Sequence, residues 1–180
     1  MTTCTYKRRI RARGFTLLEL MFTLTMAAVL LGLAIPSFRT MTASNRVVTQ
    51  ANEMVSAVNF ARSEAITRNT NITFCRATTA VTTNCAPSLA DWSNWILRTP
   101  AGVVVRRGTI NTYGGTVRLN SDFILDAVTF SSDGLARTGG GLVVNRAFTV
   151  CSSVLDTDNF RRIELGAGSR LSTTKSTGVC

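Results

Sequence analysis

The stretch Gly14-Phe15-Thr16-Leu17-Leu18-Glu19-Leu20 begins the longest apolar run of the chain, which extends to Ile35 and stops at Pro36. Glu19 is the one charged residue between Phe15 and Ile35. A helix rises about 1.5 Å per residue, so this run is long enough to span a hydrocarbon core about 30 Å thick. The sequence therefore predicts a membrane-spanning helix with a carboxylate near its start.

Basic residues are concentrated directly before this run. They lie within seven positions and are Lys7, Arg8, Arg9, Arg11 and Arg13. Such a flank stays on the cytoplasmic side of a membrane, so we expect the remainder of the chain on the other side. A carboxylate at the centre of a bilayer costs about 2.5–3.5 kcal/mol, and less nearer the interface. Glu19 therefore requires a positively charged partner.

Three features together resemble the class III signal of type IV pilins and type II secretion pseudopilins. They are the basic leader ending in Gly14, the sequence FTLLEL with Glu19 at the fifth position after that glycine, and the apolar helix. In that family a prepilin peptidase cuts after the glycine and methylates the new N-terminal residue. The resemblance implies cleavage between Gly14 and Phe15, N-methylation of Phe15, and a role in assembly for Glu19. The amine released at Phe15 can neutralise the Glu19 carboxylate in its own chain or in a neighbouring subunit.

A cleaved secretory signal peptide is an alternative interpretation of the same run. Gly32-Leu33-Ala34 offers a small-x-small cleavage site, which would place the mature N-terminus at Ile35. Two observations weigh against it: the run exceeds the usual length of about 7–15 residues, and Glu19 lies inside it. An ordinary signal anchor, the other alternative, leaves Glu19 unexplained.

The charge balance changes once the leader is set aside. The chain has 20 Lys and Arg against 10 Asp and Glu, and five of the basic residues lie in the leader. The chain has no histidine, which is the usual general base and the commonest metal ligand. It also offers no paired-carboxylate pattern, so the sequence predicts no enzyme, no catalytic residue, no metal and no cofactor.

The cysteines indicate disulfides. Cys4 lies in the leader, and an even number remains after cleavage: Cys75, Cys85, Cys151 and Cys180. An even number in an exported domain is typical of disulfide pairing. Three connectivities are possible, and we prefer Cys75 with Cys85 and Cys151 with Cys180, because each cysteine then pairs with its nearest neighbour in sequence. A metal site is the alternative, but the chain has no CxxC pair and no histidine.

An amphipathic helix is predicted after Pro36 and ends at about Arg68. Its apolar residues recur at steps of three and four: Val47, Ala51, Met54, Val55, Val58, Ala61, Ala65 and Ile66. We assign the polar residues to its outward face: Asn45, Arg46, Gln50, Asn52, Glu53, Asn59, Arg62, Ser63, Glu64, Arg68 and Asn69. The segment Ala61-Arg62-Ser63-Glu64-Ala65 resembles the helix end of the H-type pseudopilin and of FimT/FimU-like minor pilins.

Beyond Asn71 the pattern changes to short runs rich in β-branched residues, separated by turn residues. The predicted strands are Ile72–Arg76, Trp95–Thr99, Val103–Arg107, Val117–Leu119, Leu125–Phe130, Leu142–Val150 and Arg161–Leu165. The fold class is therefore α+β, a type IV pilin-like lollipop with a long N-terminal helix and a C-terminal antiparallel β-sheet domain. We expect a leader at 1–14, a transmembrane or filament-core helix at 15–36, an amphipathic helix at 37–70 and a β-rich globular domain at 71–180.

Several local patterns are assigned to turns and to the core. Ser131-Ser132-Asp133-Gly134 predicts a tight turn after Phe130, and it resembles an F-x-x-x-G segment of the same minor pilins. Thr138-Gly139-Gly140-Gly141 predicts a flexible hairpin turn rather than a phosphate loop, because no GK[ST] follows. Trp92 and Trp95 fit a core edge better than a stacking platform for bases.

Basic residues recur near the C-terminus, at Arg161, Arg162, Arg170 and Lys175. The segment after Glu164 has no acidic residue, and its glycines, serines and threonines predict a flexible backbone suited to phosphate contacts. Some FimT-like minor pilins bind DNA through a C-terminal Gly-Arg-x-Arg motif. Gly168-Ser169-Arg170 resembles it in part but lacks the arginine directly after the glycine and the second one. Ordinary solvated charges on a disulfide-closed loop are the alternative.

The residues and the resemblance together predict a minor type IV pilin, a structural subunit that enters or primes a pilus. The implied partners are the prepilin peptidase, other major and minor pilins or pseudopilins, the inner membrane and, as a further candidate, double-stranded DNA. The implied location is the bacterial inner membrane, as a single-pass protein with its globular part in the periplasm, and then the filament. An H-type pseudopilin of type II secretion is the first alternative, and a DNA-binding receptor pilin is the second.

Overall fold

A computed structural model describes residues 14–86 and 90–180 of the chain. The predictions that concern residues 1–13, which include Cys4 and the five basic residues of the leader, lie outside the described residues. The chain divides between Arg39 and Thr40 into two compact units. We call them the N-terminal unit and the head unit and describe each by itself.

One α-helix, α1, runs over Leu17–Thr67 and contributes to both units. It continues through position 36, at the end of the apolar run. Its C-terminus is closed by Asn69, which has a positive φ of 49°. The amide of Thr70 donates to the carbonyl of Ala65 at 3.1 Å. Asparagine tolerates the left-handed conformation that ends many helices, so the predicted helix end near Arg68 is confirmed.

Within the head unit, α1 buries the face that its apolar period predicts. The buried helix residues include Val47, Ala51, Met54, Val58, Ala61 and Ala65. The prediction was wrong for Gln50, which is buried rather than outward. Its Oε1 accepts a hydrogen bond from the amide of Asn111 at 3.1 Å, and its Nε2 donates to Glu53 at 3.0 Å. It was also wrong for Ile66, which is half exposed.

In the described part of the head unit, ten strands form two antiparallel sheets. The strands are β1 Ile72–Ala77, β2 Asn94–Arg98, β3 Val104–Thr109, β4 Val117–Ser121, β5 Ala127–Phe130, β6 Ala136–Thr138, β7 Gly141–Leu142, β8 Arg146–Ser152, β9 Phe160–Leu165 and β10 Leu171–Ser176. The six-stranded sheet has the order β3-β2-β1-β5-β6-β7, and the four-stranded sheet has the order β10-β9-β8-β4. The α+β class with antiparallel sheets is confirmed, with two sheets in place of one.

The main core of the head unit is a cluster to which α1 and both sheets contribute, and Cys75, Ala77 and Ile96 form a smaller second cluster. Phe74 lies at its centre, with ring centroids 5.5 Å from Trp92, 5.3 Å from Trp95 and 5.3 Å from Phe148. Phe74 belongs to the six-stranded sheet and Phe148 to the four-stranded sheet, so the aromatic rings join the two. Both tryptophans are only 1% exposed, which confirms the core assignment and removes them as platforms for base stacking.

Two predicted strands differ from the structure because the backbone turns inside them. The prediction Leu125–Phe130 was too long: Leu125 has a φ of 57° in a 3₁₀ turn, and the strand starts at Ala127. The prediction Leu142–Val150 merged two strands that belong to different sheets. Asn145, with a φ of 60°, lies in the connection between them. Neither turn contains glycine or proline, so the sequence offered no conventional breaker.

Two strands were not predicted. The three-residue strand β6 pairs with β7 across Gly139 and Gly140, both with positive φ, and this confirms the glycine run as a hairpin turn. The prediction of a flexible C-terminal tail was wrong, because β10 pairs with β9 along six residues. Almost all side chains of β10 are exposed, since it is an edge strand, and it therefore lacks the alternation that signals a half-buried strand.

Candidate functional site

The N-terminal unit places Gly14, Phe15 and Thr16 directly before α1. Thr16 caps the helix: its Oγ1 accepts from the amide of Glu19 at 3.2 Å, and its carbonyl accepts from the amide of Leu20 at 3.1 Å. The spacing of Thr16 and Glu19 is that of a capping box. A carboxylate in the first turn also interacts favourably with the positive end of the helix dipole. The predicted cleavage point therefore lies one residue before a helix cap.

Glu19 is exposed and forms no ion pair with any residue in the ranges 14–86 and 90–180. The apolar side chains around it are equally uncovered, with Leu18 80% exposed and Phe22 61% exposed. The helix is long and apolar enough to cross a membrane, and none of its most apolar window is buried. The apolar surface around Glu19 is therefore open to contact with lipid or with other subunits. Its carboxylate can pair with a cation that such a partner supplies.

The four basic residues near the C-terminus do not share one surface. Lys175 lies opposite Arg161 in the pairing of β10 with β9, so these two are on one face. Arg162 follows Arg161 in the strand and points to the other face, where it pairs with Asp122 at 3.1 Å. Arg170 precedes β10 at the far end of the same hairpin and is exposed. The structure brings together only Arg161 and Lys175.

Both of these side chains donate hydrogen bonds to Asp158. Its carboxylate accepts from Nζ of Lys175 at 2.8 Å, and its carbonyl accepts from Nη1 of Arg161 at 2.8 Å. The hydrogen bond from Lys175, more than any other influence, holds the pKa of the Asp158 carboxyl below its ordinary value of 3.8. Three of the four predicted DNA contacts are thus engaged with Asp158 or Asp122, and a phosphate would have to compete with two carboxylates and a backbone carbonyl.

The C-terminal segment is fixed by a disulfide and by one buried amide. Cys151 is bonded to Cys180, with the Cα atoms 5.6 Å apart. The side chain of Asn159 accepts from the amide of Gly178 at 3.0 Å and donates to its carbonyl at 2.8 Å. The second disulfide joins Cys75 to Cys85. Both pairings are the ones that we preferred from the spacing of the cysteines in the sequence.

Two segments that resemble those of minor pilins contact each other in the head unit: the helix end at residues 61–65 and the turn after Phe130. In the turn after Phe130, Gly134 has a φ of 76°, and a Cβ there would lie 2.9 Å from Cδ1 of Ile66 and 3.3 Å from Nε of Arg62. Nη1 of Arg62 also donates to the carbonyl of Ser169 at 3.2 Å. The helix end thus contacts both the turn of the six-stranded sheet and the last turn of the four-stranded sheet. Arg62 was assigned to the solvated face, and no sequence signal identified Ser169 as its partner.

No group of three or more His, Cys, Asp or Glu side chains in the described part of the chain could hold a metal ion. The pair of buried charges in the head unit is Arg76 and Asp126, whose Nε and Oδ2 atoms are 3.5 Å apart. Ser121 donates to Oδ1 of Asp126 at 2.6 Å. These contacts join β1 of the six-stranded sheet to the end of β4 in the four-stranded sheet. The buried carboxylate of Asp126 therefore links the two sheets.

Comparisons with known proteins agree with this geometry. The family model for type II transport protein GspH matches residues 50–169. The prokaryotic N-terminal methylation motif matches residues 9–35. No curated protein matches the chain.

Two crystal structures of the type IV minor pilin FimU of Pseudomonas aeruginosa (strain PAO1) are similar in fold. The one in space group P65 is 18% identical, covers 70% of this chain and 90% of its own, and has a TM-score of 0.51. The one in space group P21 is 19% identical, covers 74% of this chain and 92% of its own, and has a TM-score of 0.54. At these identities the likeness concerns the fold alone.

A methylation motif leading into an apolar helix, followed by a helix packed on antiparallel sheets, defines a pilin-like filament subunit. The chain belongs to the GspH family of type II transport proteins. Proteins of this class are structural subunits and not enzymes. The family and the class III signal imply processing by a prepilin peptidase and assembly with other pilins or pseudopilins. The methylation signal and the apolar helix fit an inner-membrane anchor that later enters a filament.

Proposed function

We propose that this protein is a minor type IV pilin that enters or primes a pilus after cleavage between Gly14 and Phe15. The observation that carries this proposal is the uncovered apolar surface around Glu19. A single carboxylate among exposed leucines and phenylalanines has no use in an isolated chain, but in a filament it can pair with the amine of a neighbouring Phe15. Residues 15–36 then form the membrane span and later the filament core, while residues 37–70 and 71–180 lie on the periplasmic side.

Replacing Glu19 tests this proposal. Glu19→Val leaves the helix more apolar, so the protein stays in the membrane fraction and is processed. Its amount in sheared filaments falls more than about tenfold, because loss of a buried charge pair costs several kcal/mol. Thr23→Val is the matched control: it removes a polar side chain from the same segment, where Thr23 bonds only to the carbonyl of Leu20 within the described chain, and it changes no charge. Normal incorporation of Glu19→Val would contradict the proposal.

The H-type pseudopilin of type II secretion is the second candidate, and the description of the matching family favours it. The two disulfides of the head unit are what inclines us to the pilus. The fold shared with FimU, which is a type IV minor pilin, supports the same choice. Deletion of the gene separates the two candidates: loss of twitching is expected for a pilus subunit, and loss of protein secretion for a pseudopilin.

DNA binding through Arg161, Arg162, Arg170 and Lys175 stays a prediction, and the geometry gives it little support because three of them already contact carboxylate residues. Replacing all four by Gln and measuring retention on double-stranded DNA at low salt tests it. Unchanged retention, or no retention by the unmodified protein, would end this idea without affecting the filament proposal.

A further inference from the structure

The positive charge of the head unit is concentrated in its first four strands. Between Asn71 and Ser121 the sequence has one acidic residue, Asp91, and five arginines: Arg76, Arg98, Arg106, Arg107 and Arg118. Arg76 is half of the buried pair with Asp126, and Arg118 lies 3.8 Å from Asp91. The other three lie on β2 and β3, and none of them forms an ion pair within the described chain.

Two of these arginines share a face of the six-stranded sheet. Arg107 lies opposite Ile96 in the pairing of β2 with β3, and Arg98 follows Ile96 by two residues. Arg98 and Arg107 are therefore neighbours on one face, on either side of a register shift between Leu97 and Arg98. Arg106 points to the opposite face, where its guanidinium lies 5.0 Å from the ring centroid of Phe60. The first face thus holds two like charges close together, and neither of them pairs with a carboxylate of the described residues.

A loop closed by a disulfide lies between these two guanidinium groups. Nη1 of Arg98 donates to Oδ1 of Asn84 at 3.1 Å, and Nη1 of Arg107 donates to the carbonyl of Ala80 at 2.6 Å. The loop has no charged residue from Ala77 to Ala86, and Cys85 ties it to β1. A guanidinium has five N–H donors, so neutral contacts of this kind leave both groups able to bind an anion.

Two exposed apolar residues adjoin, along the chain, the residues that the two arginines contact or pair with. Val81, next to Ala80 in the loop, is 80% exposed, and Val103, next to the strand partner of Arg98, is 61% exposed. We call Arg98, Arg107, Val81 and Val103 together the arginine patch. Its composition combines two cations with uncovered apolar surface on a rigid sheet.

We propose that the arginine patch binds an acidic and partly apolar segment of another protein subunit in the filament; this inference rests on the proposed function. Arginine binds carboxylates through paired hydrogen bonds and is enriched among the residues that dominate protein interfaces. A nucleic acid fits less well. DNA-binding proteins commonly contact about 6–10 phosphates, whereas this face presents two guanidinium groups, and a phosphate backbone gives Val81 and Val103 nothing to pack against.

Crosslinking of the full-length protein in its own cells tests the proposal. A photoreactive phenylalanine derivative at Val103 is expected to form a covalent adduct with another pilin or pseudopilin subunit, through a peptide that contains Asp or Glu. Changing Arg98 and Arg107 to Glu together lowers the adduct at least tenfold. Lysine at the crosslinked acidic position of the partner restores it. The matched control changes Arg161 and Lys175 to Glu, which alters the charge equally, and it retains the adduct.

A second variant separates binding from support of the loop. Asn84→Ala removes the contact of Arg98 with the loop but keeps both charges, and it retains the adduct. Loss of the adduct in Asn84→Ala, an equal loss in the control pair, an adduct that is independent of both arginines, or crosslinking to nucleic acid alone would each overturn the proposal. The amount of the protein in sheared filaments is measured in parallel. Absence of the unmodified protein from filaments would instead contradict the proposed function.

Discussion

Gly108 in β3 shows how closely single residues are packed in the head unit. A Cβ at this position would overlap ring carbons Cε2 and Cζ2 of Trp95 and would lie 2.7 Å from its Nε1. Trp95 is 1% exposed and packs on Phe74, so the indole has no space into which it can move. The absence of a side chain at 108 is therefore what allows Trp95 to enter the core.

Gly108→Ala is expected to lower the free energy of unfolding by about 1–3 kcal/mol, which is the usual cost of overpacking a core. Urea unfolding followed by tryptophan fluorescence measures this change. Gly166→Ala is the control, because a Cβ there comes no closer than 3.8 Å to the carbonyl of Arg170, its nearest neighbour. Equal stability of Gly108→Ala and the unmodified protein would show that Trp95 is less constrained than the structure indicates.

The exposed pair of Asp158 and Lys175 gives the stability a dependence on pH. The folded pKa of Asp158 is lowered by Lys175, so the pair stabilises the protein at pH values above the unfolded pKa of Asp, about 3.9. The contribution disappears as the pH falls through the lower folded pKa. Asp158→Asn is therefore expected to reduce the urea midpoint slightly at neutral pH and to leave it unchanged in strong acid.

Asp156→Asn is the matched control for this pH dependence. Asp156 is an exposed neighbour in the same loop and forms no ion pair within residues 14–86 and 90–180. Its replacement is expected to leave the midpoint unchanged at both pH values. A difference for Asp158→Asn that persists in strong acid would contradict the assignment to the ion pair.

At the scale of elements, the sequence predicted α1 but not the C-terminal hairpin of β9 and β10. Three- and four-residue apolar steps fix the buried face of a helix, and residues such as Met54 and Ala61 lie where that period places them. Strand β10 has no such pattern, because almost all of its side chains are exposed. Gln50 was misplaced for a different reason: a polar side chain is buried when a distant backbone group, here the amide of Asn111, needs an acceptor.

The residues of the candidate site also fall into those that the sequence predicts and those that it does not. The cleavage point and the role of Glu19 stay predictions, and they could be made because their signal is local in sequence. The junction of Arg62 with Ser169 spans 107 positions, and the arginine patch depends on strand register, so neither could be derived from spacing alone. The sequence did contain one unused signal for the patch, which is the scarcity of acidic residues between Asn71 and Ser121.

The two disulfides are expected to differ in their effect on stability. Cys151 and Cys180 are 29 positions apart, and Cys75 and Cys85 are 10 apart. The chain-entropy relation gives about 3.6 kcal/mol for the longer loop and about 2.7 kcal/mol for the shorter one. Replacing Cys151 and Cys180 by Ser should therefore reduce the free energy of unfolding more than the same replacement at Cys75 and Cys85. The opposite order in urea unfolding would show that native contacts, such as those of Asn159, outweigh the closure of the loop.

At the scale of the whole molecule, the account depends on one event, the removal of the leader after Gly14. That cut releases the amine of Phe15 that we propose as the partner of Glu19, and it removes five basic residues and Cys4. The remaining chain has an apolar helix that needs neighbours and a head unit closed by two disulfides. Each of these features serves a subunit that leaves the membrane for a filament.

The most direct test is N-terminal sequencing, with intact mass, of the protein recovered from sheared filaments. We expect a single chain that starts at Phe15 and carries one added methyl group on its N-terminal amine. A chain that starts at Met1 or at Ile35, or the absence of the protein from the filament fraction, would contradict the account.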